Sequence, residues 1–193
     1  NGSSEPAREK APEATLLERM NEAYVIIHEF NIHVRLMNGV AESEADPENP
    51  DRPRDVVTLL PYFAKANAIR PGETKNRDYV FGVATVSGGG SGVFYFLLLY
   101  VDDGQQLAFV SAKEFGDRIT VLRLDVGGGI WSVDDDVRMK VFMLDRESYE
   151  GMVAEPAVKK VLTFRVKKSD DSLSQEGVAG VSTVKPNPPH NGD

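Results

Sequence analysis

Residues 79–101 read YVFGVATV (79–86), SGGGSG (87–92) and VFYFLLLYV (93–101): a strand, a glycine-rich turn, and a second strand apolar at all nine positions. A strand with one face in water alternates apolar and polar residues. One that does not alternate must be covered on both faces, so it lies inside a sheet. This hairpin is therefore the spine of the fold.

Upstream, Thr15 to Ala23 (TLLERMNEA) spaces Leu16, Leu17 and Met20 for one or two helical turns, with Thr15 as N-cap and Glu18 three residues on. Tyr24 to Ile27 is aromatic and β-branched. Asn31 to Met37 alternates Ile32, Val34 and Leu36 against His33, Arg35 and Met37, and ends at the hairpin signal Asn38-Gly39. Both segments are predicted strands. Glu42 to Arg54 (ESEADPENPDRPR) carries three prolines among mixed charges, which no regular element tolerates, and is a predicted loop. Val56 to Phe63 reads as a strand broken at Pro61, and Asn67 to Arg77 returns to loop composition around Pro71-Gly72.

Downstream, Asp102-Asp103-Gly104 marks a tight turn, followed by strands over Gln106 to Phe115 and, past Gly116-Asp117, Arg118 to Val126. Val137 to Arg146 alternates Val137, Met139, Val141 and Met143. In Val158 to Lys167, the residues Val158, Leu162, Phe164 and Val166 face inward. These segments predict a mainly β chain, an antiparallel meander of about eight or nine strands, barrel-like or sandwich, with one short N-terminal helix. The alternative is an α+β arrangement. One β-rich domain spans 15–168, with a disordered tether at 1–14 and a flexible C-terminal tail at 169–193, where large apolar residues are scarce.

Composition narrows the function classes. The net charge of −8 disfavours nucleic acid or an anionic bilayer as partner, and the absence of Cys removes thiol catalysis and thiolate metal sites. No apolar run approaches the roughly 20 residues of a membrane-spanning helix. The polar opening NGSSEPAREKAPEAT suggests a signal peptide and a lipidated Cys upstream of Asn1, placing the domain outside the cytoplasm.

Motifs of the kinds that carry chemistry have plain structural readings beside them. SGGGSG lacks the terminal Gly-Lys-Ser/Thr and the following helix of a phosphate loop, so its glycines are read as supplying positive φ to a hairpin turn. His28 and His33 fall on opposite faces if one continuous strand carries both, which speaks against a shared metal. Asp102-Asp103 and Asp134-Asp135-Asp136 lack the spacing that wraps ligands around Ca²⁺ and read as solvated turns. Trp131, after the Gly127–Gly129 turn, is a core or rim aromatic that could stack on a ligand. Gly116-Asp117-Arg118 and Leu144-Asp145-Arg146 place Asp-Arg pairs at strand ends, where they lock turns or hold an anion. The candidate binding residues are thus Asp117, Arg118, Asp145, Arg146 and Trp131. No catalytic set, metal site or cofactor is read from the sequence.

The order GGGSGVFYFLLLYVDDG, FGDRITVLRLDV, VRMKVFMLDR, EGMVAEPAVKKVLTFRV resembles a group of uncharacterised bacterial secreted or lipid-anchored proteins with the pattern GGSG-FYY, LGDR, V-Y-DR, P-x-V. The opening MNEAYVIIHEFNIHVRLMNGVAE is similar to theirs, so the likeness covers roughly Leu16 to Val166. This chain has Phe115 where the group has Leu. It has NAIRPGETKNRDYV where the group often has an acidic D-x-N-G-D-G loop. The resemblance implies fold kinship and a cell-envelope location, periplasmic or extracellular, with membrane contact only through a lipid anchor. The expected function is a noncatalytic binding or accessory domain whose partner is a protein, a glycan or a small ligand. Two alternatives stand beside it: a carboxylate hydrolase built on Asp117, Asp145 and Glu147, and an inhibitor or chaperone-like module that adds a strand to a partner.

Overall fold

The structure, a computed structural model, describes residues 14–69, 72–73, 76–89, 92–127, 136–146 and 155–183. Helix α1 (Leu16–Asn21) opens with the expected capping box. The Thr15 N–H donates to Glu18 Oε2 at 2.6 Å and the Glu18 N–H to Thr15 Oγ1 at 3.3 Å. Then come β1 (Tyr24–Ile27), a 3-10 turn (His28–Phe30), β2 (Ile32–Arg35), β3 (Val40–Glu42), β4 (Val56–Ile69), β5 (Asn76–Ser87) and β6 (Val93–Asp102). They are followed by β7 (Leu107–Asp117), β8 (Thr120–Val126), β9 (Val137–Asp145), β10 (Val158–Lys167) and β11 (Ser172–Thr183). Every pairing is antiparallel, and the six-residue α1 is the only α-helix among the described residues. The chain is mainly β, not α+β.

The elements form layers around a central sheet ordered β3-β4-β5-β6-β7. One face carries Val80, Ala84, Phe96, Leu98 and Tyr100 against Met20 of α1 and Val25, Ile27, Ile32 and Val34 of the β1–β2 hairpin. The other carries Phe81, Val83, Leu97 and Leu99 against Val121, Met139, Val141 and Phe164 of a second sheet, ordered β11-β10-β9-β8. The unbroken apolar run of β6 follows from this covering. Phe96 through Tyr100 are all fully buried, each large side chain contributing on the order of 1.5–3 kcal/mol by leaving water. The Tyr100 hydroxyl donates to the Tyr24 carbonyl at 3.0 Å, which satisfies the one polar atom buried there, and burial pushes its phenol pKa up. The two sheets form a sandwich, and no barrel closes.

Several expectations need correction. The meander does not run as one sheet but divides in two, which is the sandwich of the two forms expected. The chain leaves the central sheet after Asp117 and enters the second sheet at Thr120, through Arg118 in the left-handed region (φ 49) and buried Ile119. A Cβ on Gly116 would lie 2.9 Å from Ile119 Cγ2, so the corner turns tightly only over glycine. Pro61 does not break β4. The register slips between Leu60 and Phe63, and Pro61 sits in that bulge beyond the reach of β3, where no ladder partner needs its missing N–H. Strand structure also enters the predicted 67–77 loop from both sides, to Ile69 and from Asn76.

The predicted flexible tail is overturned over Ser172–Thr183, which pair with β10 from Val158↔Thr183 to Lys167↔Ser172. Together with short β3, this strand raises the count to eleven among the described residues. Asp171, at φ 58, makes the intervening turn and is clasped from the central sheet. Arg77 Nη1 lies 2.8 Å from its Oδ2, and the Tyr79 hydroxyl donates to its Oδ1 at 2.7 Å.

Of the described aspartates in the two acidic turns, Asp103 is the exposed turn carboxylate expected, accepting from the Gln105 and Gln106 N–H groups at 2.8 and 2.7 Å, but Asp102 and Asp136 are not solvated. Asp102 is buried, with the Arg19 guanidinium bidentate on it at 2.5 and 2.9 Å, Lys65 Nζ at 3.5 Å and the Gly104 N–H at 2.8 Å. The Arg19 contact is the main reason its carboxyl is held down to about 2. Asp136 binds Arg165 and accepts from the Lys168 N–H at 3.1 Å. Asp134 and Asp135 lie outside the described residues.

Candidate functional site

The register gathers one set of strand ends. Val56 pairs with Ser87, Ser87 with Val93, Phe94 with Asp117, Thr120 with Leu144 and Asp145 with Val158. The glycine-rich turn, the entry to β4, both Asp-Arg pairs and the inter-sheet corner therefore share one end of the molecule.

There the Asp-Arg residues close the corner. The Val93 N–H donates to Asp117 Oδ1 at 3.0 Å, and the Arg118 N–H donates to the Val93 carbonyl at 2.9 Å. Arg146 Nη2 donates to the Asp117 carbonyl at 3.3 Å and lies 3.8 Å from its Oδ2. Asp145 accepts from the Arg146 N–H at 2.7 Å and pairs with Lys160 Nζ at 2.6 Å. Asp117, Arg118 and Arg146 are thus assembled, with Asp145 next to them in the chain, as hydrogen-bonded fasteners of the turns. Trp131 and Glu147 lie outside the described residues. Among the described residues, no group of three or more His, Cys, Asp or Glu side chains could hold a metal.

The sequence reading missed a cleft of about 630 Å³ at this same end, between the tip of the β1–β2 hairpin and the loop 43–55. Phe30, Asn31 and His33 form one wall, and Ser43 to Pro47 with Arg52 to Asp55 form the other. The loop is closed at its neck: the Ser43 N–H donates to the Asp55 carbonyl at 2.8 Å, and the Asp55 N–H donates to Ser43 Oγ at 3.0 Å. Inside it, the Glu48 N–H donates to Asp46 Oδ1 at 3.0 Å, the Asn49 N–H to the Asp46 carbonyl at 3.2 Å, and the Arg52 N–H to the Asn49 carbonyl at 3.0 Å. A loop with joined ends and its own internal turns is an Ω-loop, a form that often carries function.

The glycine-rich turn buttresses it. A Cβ on Gly88 would fall 2.1 Å from Asp55 Oδ1, and one on Gly89 would fall 2.7 Å from Pro53 Cγ. Neither glycine has a positive φ. At these positions, then, glycine serves close approach to the Ω-loop rather than the turn conformation that the sequence suggested. Beneath the hairpin tip, Phe30 is braced by Phe94 at 5.1 Å and Phe96 at 6.0 Å between ring centroids.

His28 and His33 are not on one strand. The 3-10 turn reverses the chain between them and brings their exposed rings edge to face at 5.9 Å. Glu114 of β7 was also missed. Burial first, then the charges of Glu29 and Asp117, hold its carboxyl above the usual range.

Comparison with protein-family models, with curated proteins and with solved structures finds no match to this chain. No helix among the described residues is long and apolar enough to cross a membrane.

Proposed function

We propose that the chain is a noncatalytic binding domain of the bacterial cell envelope, secreted or held by a lipid anchor upstream of Asn1, that engages its partner through the cleft between the hairpin tip and the Ω-loop. The location rests on the sequence resemblance and the polar N-terminal stretch. The binding role rests on one observation. At the end where the strand termini converge, Asp117 and Asp145 are taken up in turn contacts, while a cleft with neither carboxylate in its lining stands open beside them. The hydrolase reading needs those two carboxylates to face a substrate space. Loops on a rigid sandwich are also where binding residues concentrate.

The test is photo-crosslinking in the native envelope from two positions of the full-length protein. One is Arg52, in the cleft wall. The other is Leu122, exposed on β8 of the second sheet. A discrete adduct from position 52 and none from 122 supports the reading. Adducts from 122 alone, recovery of the protein in the cytoplasmic fraction, or turnover of a substrate that Asp117→Asn abolishes would each refute it.

A further inference from the structure

We infer that the cleft is a saccharide site, selective for a neutral, hydroxyl-rich sugar chain over an anionic one; the inference rests on the reading of this cleft as the binding face. A volume of about 630 Å³ fits a short oligosaccharide and falls within the range of roughly 300–1,000 Å³ usual for small-ligand clefts. The chemistry of the lining selects among ligands of that size. Two guanidiniums, Arg52 and Arg54, share the lining with three carboxylates, Glu44, Asp46 and Asp55, so the carboxylates outnumber them and an anionic ligand meets more repulsion than attraction.

What remains is a dense set of fixed donors and acceptors. Asn31 offers an amide with both, His33 an imidazole, Arg52 a donor fork and the carboxylates acceptors only. A sugar hydroxyl donates one hydrogen bond and accepts others, so adjacent hydroxyls can bridge a carboxylate and a guanidinium that a purely apolar or purely anionic ligand would leave half satisfied. Arg52 has no side-chain partner of its own among the described residues, leaving its donor fork available to a ligand. Arg54 is partly engaged by Glu42 at 3.7 Å.

The apolar part of the lining has the right form too. Phe30, Pro47 and Pro53 contribute ring carbons to the lining, against which the C–H face of a pyranose can pack. The frame is rigid. Phe30 is braced by two aromatic rings, the Ω-loop is pinned at Ser43 and Asp55, and Asn31 holds the left-handed cap of the hairpin tip at φ 52. A weak ligand loses least when the site is already formed.

The test is a backbone-amide NMR titration with chitotetraose and maltotetraose as neutral probes, tetragalacturonate as the anionic probe and a tetra-alanine peptide as control. We expect saturable shifts with at least one neutral sugar, Kd on the order of 1 mM or tighter, confined to residues 28–33 and 43–55. Asn31→Gly keeps the positive φ and removes the amide, and Arg52→Ala removes the fork. Each should weaken binding roughly three- to tenfold with the spectrum otherwise unchanged, while Leu122→Ala should leave it alone. Shifts at 28–33 and 43–55 produced by the peptide but by no sugar overturn the saccharide inference and leave the cleft as the binding face. So does a preference for tetragalacturonate. No saturable shift with any of the sugars also overturns it, and the crosslinking from position 52 then decides separately whether the cleft binds a partner at all.

Discussion

Replacing Asp102 by Asn removes one charge from a buried cluster while keeping its shape. The Asp102 side chain is 1% exposed and Arg19 is 17% exposed, so the guanidinium would be left against a neutral amide with little water to solvate it. The Gly104 N–H keeps its acceptor, because an Asn oxygen can take the place of Oδ1. The carboxyl is held from 3.8 down to about 2, chiefly by Arg19, and at about 1.4 kcal/mol per pKa unit this corresponds to about 2 kcal/mol of stability. Stranding Arg19 adds to that, and breaking a buried pair from one side typically costs about 3–5 kcal/mol. We expect Asp102→Asn to lose about 2–4 kcal/mol at pH 7 in urea denaturation followed by far-UV circular dichroism, and to melt roughly 5–12 °C lower. The pH dependence fixes the cause. A depressed folded pKa contributes fully above the unfolded value and is lost as pH falls toward the folded one. The gap between wild type and variant should therefore be flat above about pH 5 and shrink between about pH 4 and pH 2. A gap below about 0.5 kcal/mol at neutral pH, or one that does not close in acid, would refute the reasoning.

Tyr79→Phe deletes the hydrogen bond to Asp171 and should cost about 1.5–3 kcal/mol, with amide exchange at the β10–β11 turn accelerating more than in β5. Gly82→Ala places a Cβ 2.5 Å from Met20 Cε and should destabilise by about 1–2 kcal/mol by lifting α1; Met20→Ala in the same chain should recover α1 protection. Truncation after Asp171 removes β11 and leaves β10 as a bare edge under Leu162 and Phe164, so the fragment should show a smaller urea m-value and self-associate on gel filtration. Arg146→Met should lower stability by about 1–3 kcal/mol through loss of its bond to the Asp117 carbonyl, yet leave sugar titration curves unchanged. A change in binding without a change in melting would instead place Arg146 at the ligand.

How much was legible in the sequence depended on the range of the deciding interaction. The β6 run, the α1 capping box and the Asn38-Gly39 turn at φ 53 and 80 are each fixed within a few residues, and each was read correctly. The division into two sheets was not local. It depends on Ile119 finding the second core beside Gly116, and no alternation in 106–126 marks that corner. β11 has a weak apolar signal of its own because its residues are mostly exposed, and it is held by the β10 ladder and the Asp171 clasp across 92 residues or more of chain. The Asp-Arg pairs were legible as turn fasteners, but the cleft was not. A proline-rich mixed-charge loop looks like any irregular segment until Ser43 and Asp55 are seen to close it.

The two ends of the sandwich are electrostatically unlike, and the contrast bears on where binding takes place. Both faces of the central sheet are covered, so a ligand can reach this molecule only at strand ends or outer surfaces. At the end where β6 finishes, charges are matched internally: Asp102 with Arg19 and Lys65, Asp78 with Lys65, Asp171 with Arg77, and Asp136 with Arg165. A ligand arriving there would have to displace contacts already made, at the cost of each unsatisfied group it left behind. At the opposite end the described fasteners are the corner contacts of Asp117, Arg118 and Arg146, the Asp145–Lys160 pair and the Ser43–Asp55 neck of the loop. The wall of the cleft keeps Arg52, His33 and Asn31 directed at solvent, on a frame braced by aromatic rings and a pinned loop. Among the described residues, this end combines a preformed shape with exposed hydrogen-bonding groups, Asn31, His33 and Arg52, and a ligand reaching them exchanges contacts with solvent rather than with the protein.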